Sequence, residues 1–117
     1  GAQTRGRLAV KASFTAECSR DIAEAAEWYR RRDPKLASDF LDAIEASVAI
    51  LLSFPRSHEL ARKHTRRAFL ARFPYTLYYV DLEQEIVLLA CLHQARNPRR
   101  WQGRVRETPD SPAQSEV

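Results

Sequence analysis

Residues 66–101 read RRAFLARFPYTLYYVDLEQEIVLLACLHQARNPRRW, and this stretch decides the fold. It divides into three strand-like segments. The first, 68–73, ends at Pro74. In the second, 75–81, Leu77 and Tyr79 alternate with Tyr78 and Val80, the period of two that sends neighbouring side chains to opposite faces. Residues 81–84 make an acidic connecting turn. In the third, 85–92, the run IVLLACL is apolar without alternation, the pattern of a central strand covered on both faces. The stretch leaves through Arg96, Arg99 and Arg100 and closes on Trp101. Pro98 offers the start of a short helix there.

The segments upstream supply the support. Leu8, Val10, Ala12 and Phe14 alternate with Arg7, Lys11 and Ser13, which predicts a half-buried first strand over 7–14. Thr15 is a helix N-cap, and Glu17 suits the positive end of the helix dipole. Cys18, Ile22, Ala25, Ala26 and Tyr29 then form one helical stripe, with Glu24, Glu27 and Arg31 towards solvent. The run RRRDP breaks that helix. Asp33 caps a second one, whose first position suits Pro34 because the missing N–H costs nothing there. Its apolar face is Ala37, Phe40, Leu41, Ile44, Val48, Leu51 and Leu52, and Phe54-Pro55 stops it. Residues 56–65 are polar, basic and aperiodic, and read as a loop.

The expected fold is therefore α+β, in the order β-α-α-β-β-β: a helical hairpin on one face of a largely antiparallel four-stranded sheet. Two helices cover one face only, so the other face needs closure from elsewhere, a partner being one source. A chain of 117 residues makes one domain, here assigned to 1–106. Residues 1–6 are expected to be a flexible leader and the Pro- and Ser-containing 107–117 a disordered tail. No apolar run reaches the roughly 18 residues of a membrane span. Cys18 and Cys91 sit in apolar segments and read as buried reduced thiols, and neither has a second ligand at metal-binding spacing.

Charge is unevenly distributed. Residues 56–106 hold eleven basic and four acidic side chains, whereas 17–45 hold eight acids. Sixteen of the nineteen basic residues are arginine, a preference that suits bidentate contact with phosphate or carboxylate. An anionic partner, nucleic acid or acidic protein, fits this better than a merely solvated basic face. Tyr75, Tyr78 and Tyr79 could stack bases. The competing reading is that aromatics favour strands and that these serve the core or a partner.

The element order, with the blocks DIAEAAEWY (21–29), FLDAIEASVAILLSFP (40–55), RFPYTLYYV (72–80) and LLACLHQARNPRRW (88–101), resembles the RelE/ParE toxin superfamily, and within it the ParE, plasmid-stabilisation branch. The resemblance implies a cytoplasmic toxin of a type II toxin–antitoxin pair, with no cofactor, held in a hetero-oligomer by an antitoxin that wraps it. ParE-type toxins poison DNA gyrase, whereas RelE-type toxins cleave mRNA in the ribosomal A site. A shared fold does not choose between these targets.

The chemistry of RNA cleavage narrows the choice. In-line attack by a 2′-OH needs a base, cations for the phosphorane and an acid for the leaving oxygen. In RelE-type toxins lysines, arginines and a C-terminal tyrosine do this work. Arg96 matches one family arginine. Thr76 stands where another is wanted, no tyrosine follows Arg96, and Trp101 cannot transfer a proton usefully. Lys63, with Arg66 or Arg67, replaces the lysines only loosely. A nuclease would thus have to use Arg96, Lys63 and His93. Imidazole is the side chain suited to general-base work, which makes His93 a candidate, but a histidine at a strand end is more often a structural hydrogen-bonding residue. His58 and His64 read as solvated, as do Asp39 and Asp42.

The incomplete set favours a non-enzymatic protein that binds gyrase. A ribosome-dependent mRNA endonuclease and a non-toxic partner-binding homologue are the alternatives. The expected target- or partner-binding residues are Arg66, Arg67, Arg72, Tyr75, Tyr78, His93, Arg96, Arg99 and Arg100, with Trp101 as the anchor of the exit segment.

Overall fold

The computed structural model describes residues 11–56, 60–61 and 63–95. The order is β1 (Lys11–Phe14), α1 (Ala16–Arg32), α2 (Pro34–Ser53), β2 (Thr65–Phe69), β3 (Tyr75–Asp81) and β4 (Glu85–His93). The sheet runs β1-β4-β3-β2, with β1 parallel to β4 and the other pairs antiparallel. This is the β-α-α-β-β-β arrangement expected from the sequence. No helix among the described residues is long and apolar enough to cross a membrane.

The helix boundaries follow from two capping residues. Thr15 Oγ1 accepts the Cys18 N–H at 3.1 Å, closing the first turn of α1. Asp33 serves both helices. Its N–H donates to Tyr29 O at 2.9 Å, ending α1, and its carboxylate accepts the Lys35 N–H at 3.0 Å, starting α2. Because one residue caps both helices, the hairpin turns tightly and lays α1 and α2 side by side on the sheet.

The main core lies between hairpin and sheet. Phe40, Ile44 and Leu51 of α2 and Cys18 and Ala25 of α1 meet Leu77, Tyr79, Ile86, Leu88 and Cys91. Tyr79 is fully buried, and its hydroxyl donates to Pro55 O at 2.8 Å, which ties β3 to the end of α2. Burial pushes that hydroxyl's pKa up to about 12, with Arg66 opposing the rise.

β4 explains its own unbroken apolar run. Tyr78 pairs with Ala90 and Tyr79 with Leu88, so Leu89 is an extra residue, a β-bulge. Ile86, Leu88 and Cys91 therefore face the helices, while Leu89, Ala90 and Leu92 join Val80 in a second cluster on the far face. The bulge also re-aims backbone groups. Thr15 Oγ1–H donates to Leu89 O at 3.3 Å, and the Cys91 N–H, beyond the end of β1, donates to Asp21 Oδ2 at 3.0 Å. The far-face cluster is closed within this chain, since Leu89 is 1% exposed and Leu92 4%. Its burial needs no partner.

Several boundaries differ from the sequence reading. β2 is Thr65–Phe69, three residues earlier than the segment 68–73. Leu70 and Phe73 are buried, but by a turn: Arg72 adopts φ 75° and the Leu70 N–H reaches Tyr75 O at 3.0 Å. The segment 56–65 is not all loop, because Leu60 bridges Arg66 and the Ala61 N–H donates to Thr65 O at 2.7 Å. β3 has the expected bounds, Tyr75–Asp81, and the acidic turn is 82–84 rather than 81–84. Phe14 and Leu41, expected among the buried faces, are 41% and 46% exposed. Of the expected first strand, residues 7–10 lie outside those described. So do the leader 1–6 and the tail 107–117.

Candidate functional site

The residues singled out from the sequence fall at different places on the sheet. β2 meets β3 with Thr65 opposite Val80, Arg66 opposite Tyr79, and Arg67 opposite Tyr78. Strand alternation then puts Arg66 on the helix-facing side with Tyr79 and Ala68, and Arg67 on the far face with Tyr78. Arg67 leans over Phe69, its guanidinium carbon 5.7 Å from the ring centre. Arg72, in the β2–β3 turn, lies with Nη2 3.6 Å from Asp39 Oδ2, a carboxylate that Lys35 Nζ also approaches at 3.4 Å. Asp39 is thus held by two cations.

The three tyrosines do not share a surface. Tyr79 is core. Tyr75 is half-buried among Tyr29, Phe40 and His93, with ring centres 6.3, 5.3 and 5.2 Å away. Tyr78 alone of the three faces the other way, against the Val80–Leu92 cluster.

Lys63 and His93 lie at opposite ends of the sheet. The chain from Leu60 reverses to pair with Arg66, which puts Lys63 at the tip beyond Thr65 and hence beyond Val80. His93 pairs instead with Tyr75, at the other end of β3. Five residue steps separate Tyr75 from Val80, about 17 Å at the usual strand rise. In-line cleavage needs both groups around one phosphate, within hydrogen-bond reach. His93 Nδ1 also accepts the Ala95 N–H at 3.1 Å, so the neutral ring carries its proton on Nε2. The nitrogen that could take a proton is already engaged. Arg96, Arg99, Arg100 and Trp101 lie outside the described residues.

Among the described residues two concave features stand out, neither of them singled out by the sequence reading. One is a groove of about 610 Å³ between α1 and α2, floored by Ile22, Ala26 and Ile44 and walled by Phe14 and Leu41. Its rim carries the Glu27–Arg30 ion pair at 2.6 Å. The signal in the sequence was the width of the α2 stripe: Phe40, Leu41 and Ile44 span more of the helix than one sheet can cover. The other is a cleft of about 620 Å³ between α1 and the Tyr75–His93 end of the sheet, lined by Asp21, Glu24, Trp28, Tyr29, Tyr75 and His93 among others. The Cys91 thiol borders it, but burial, with Cys18 and Asp21 nearby, raises its pKa far from any nucleophilic range.

The model of one family, described as ParE toxin of type II toxin-antitoxin system, parDE, matches residues 12–98. The fold is similar to that of a solved structure titled "Chromosomal ParDE TA system from P. aeruginosa", with a TM-score of 0.64 over 74% of this chain and 97% of that one. The two are 17% identical, a likeness that speaks for the fold alone. Comparison with curated proteins gave no match. The family match spans β1 to β4 without a break, and the chain belongs to the ParE toxins of type II toxin–antitoxin systems.

Proposed function

We propose that this protein is a non-enzymatic toxin that binds DNA gyrase, traps its cleaved-DNA state, and is held inactive in the cytoplasm by a cognate antitoxin. The separation of Lys63 from His93 carries the choice of target: the groups a nuclease would need stand at opposite ends of the sheet. Such a separation does not hinder a protein that acts by docking. The basic excess of residues 56–106 suits an acidic or phosphate-bearing target, and would steer it there.

The antitoxin takes the interhelical groove as an amphipathic helix. Phe14, Ile22, Ala26, Leu41 and Ile44 offer the apolar anchors that helix-in-groove recognition uses. Acidic side chains of the same partner reach the arginines, and the pair forms a hetero-oligomer.

Supercoiling and DNA-cleavage assays with purified gyrase test the target. The expected outcome is loss of supercoiling with accumulation of linear DNA, relieved by antitoxin. Lys63→Ala, which removes a member of the nuclease set alone, should inhibit as strongly as the parent. No effect on gyrase at excess toxin, together with A-site cuts in translated mRNA, would establish the endonuclease reading instead.

A further inference from the structure

The cleft between α1 and the Tyr75–His93 end of the sheet has a chemistry opposite to that of the protein around it. The chain carries a formal charge of +4 and is rich in arginine. Among the described residues no lysine or arginine lines this cleft, whereas two carboxylates one helical turn apart, Asp21 and Glu24, do. Asp21 is committed to the Cys91 N–H. Glu24 is exposed and makes no hydrogen bond or ion pair among the described residues.

Four rings form a continuous aromatic part of the remaining wall, which Ala25, Pro74, Leu92 and Ala95 complete. Trp28 meets Tyr29 edge-on at 5.1 Å, Tyr29 meets Tyr75 at 6.3 Å, and Tyr75 meets His93 at 5.2 Å. The Trp28 ring already attracts a guanidinium. Arg32 lies with its guanidinium carbon 3.4 Å from the ring centre, outside the cleft. Ring faces carry negative quadrupole density, so an aromatic wall with a free carboxylate at its mouth is the arrangement that holds a desolvated cation.

We propose that this cleft receives an arginine of a basic peptide segment on a partner protein. A guanidinium satisfies both features at once, stacking flat on a ring while its fork meets the Glu24 carboxylate, whereas an ammonium satisfies only the charge. The volume of about 620 Å³ falls in the range of clefts that bury a ligand of drug size, room enough for an arginine side chain and its neighbouring backbone. The inference stands apart from the gyrase reading, because it concerns a different surface and is tested without gyrase.

The full-length Trp101→Phe protein leaves Trp28 as its single tryptophan. Its emission is followed during titration with acetyl-Ala-Arg-Ala-amide, the lysine analogue and the neutral citrulline analogue. Expected are a saturable change with the arginine peptide, weaker binding of the lysine peptide, and at least tenfold weaker binding of the citrulline peptide. Glu24→Gln, an exposed change, should weaken the arginine peptide at least tenfold with an unaltered Tm. Equal binding of the arginine and citrulline peptides, an arginine peptide indifferent to Glu24→Gln, or no saturable binding would each overturn the proposal. In the last case the sequel to Ala95, which begins with Arg96, is tested as the occupant by replacing its arginines and repeating the titration.

Discussion

The helical hairpin has two apolar surfaces built from the same residue types, and they do different work. Towards the sheet, Phe40 and Leu51 are fully buried against Leu77, Tyr79 and Leu88. Between the helices, Ile22, Ala26 and Leu41, with Phe14 of β1, line a groove left open. The first surface gains its free energy on folding, at roughly 25 cal/mol per Å² of apolar area removed from water. The second still has that gain available, and a partner helix can collect it. Substitutions on the two surfaces should therefore separate stability from binding.

The largest loss of stability is expected at the closed surface. Leu77→Ala removes a fully buried side chain from the middle of β3 and should cost about 2–5 kcal/mol, depending on how far the core collapses into the space. Chemical denaturation measures it. A cost below about 1 kcal/mol would mean that the hairpin is not packed on the sheet as described.

Tyr79→Phe keeps the packing and removes the hydroxyl that reaches Pro55 O. The expected cost is about 1 kcal/mol, since a part-buried carbonyl loses its donor. The same residue sets an alkaline limit. Its folded pKa, raised to about 12 from the ordinary 10.0, means that the folded state favours the protonated hydroxyl. That contribution is complete below pH 10 and disappears as pH rises from 10 through 12. Denaturation midpoints across this window should fall in the parent and flatten in Tyr79→Phe. A parent profile that is equally flat would remove Tyr79 from the account.

How much of this was legible in the sequence depended on whether the signal was local. The helix ends were, because Thr15 and Asp33 cap through bonds that span two to four residues. The faces of β3 were too, since alternation is a property of the strand itself. β2 was misplaced because Phe69, Leu70 and Phe73 are as apolar as a strand, yet the last two are buried by a turn. The bulge at Leu89 was hidden for a related reason. In a run apolar on both faces, one extra residue leaves no break in the pattern. Lys63, His93 and Arg96 were grouped as one nuclease set on chemistry alone. Their positions depend on strand order and direction, which no spacing reveals. The open groove was misread as core for the converse reason, since Phe14 and Leu41 look the same whether a sheet or a partner covers them.

Thr15 ties the start of α1 to β4, and its replacement gives a smaller effect. Its hydroxyl caps α1 at Cys18 N and also donates to Leu89 O at the bulge. Thr15→Ala should cost about 1 kcal/mol. Thr15→Ser keeps both bonds and should recover most of it in the same denaturation assay. Equal losses in the two variants would assign the effect to the methyl group.

The smallest effect on folding and the clearest separation are expected at Leu41. Its side chain is half-exposed in the groove wall, so Leu41→Ser forfeits little buried area and should change stability by about 1 kcal/mol or less. If a helix of the antitoxin fills the groove, the same change removes an anchor from the centre of an interface. Anchors of that kind carry about 2 kcal/mol, or roughly a thirtyfold loss of affinity. Calorimetric titration of antitoxin into parent and variant reads the affinity, and thermal unfolding of the same samples reads the fold. Unchanged affinity would move the antitoxin off the hairpin and leave the groove without a role in neutralisation. Affinity lost in proportion to stability would mean that Leu41 acts as core after all, and the two surfaces would then be one.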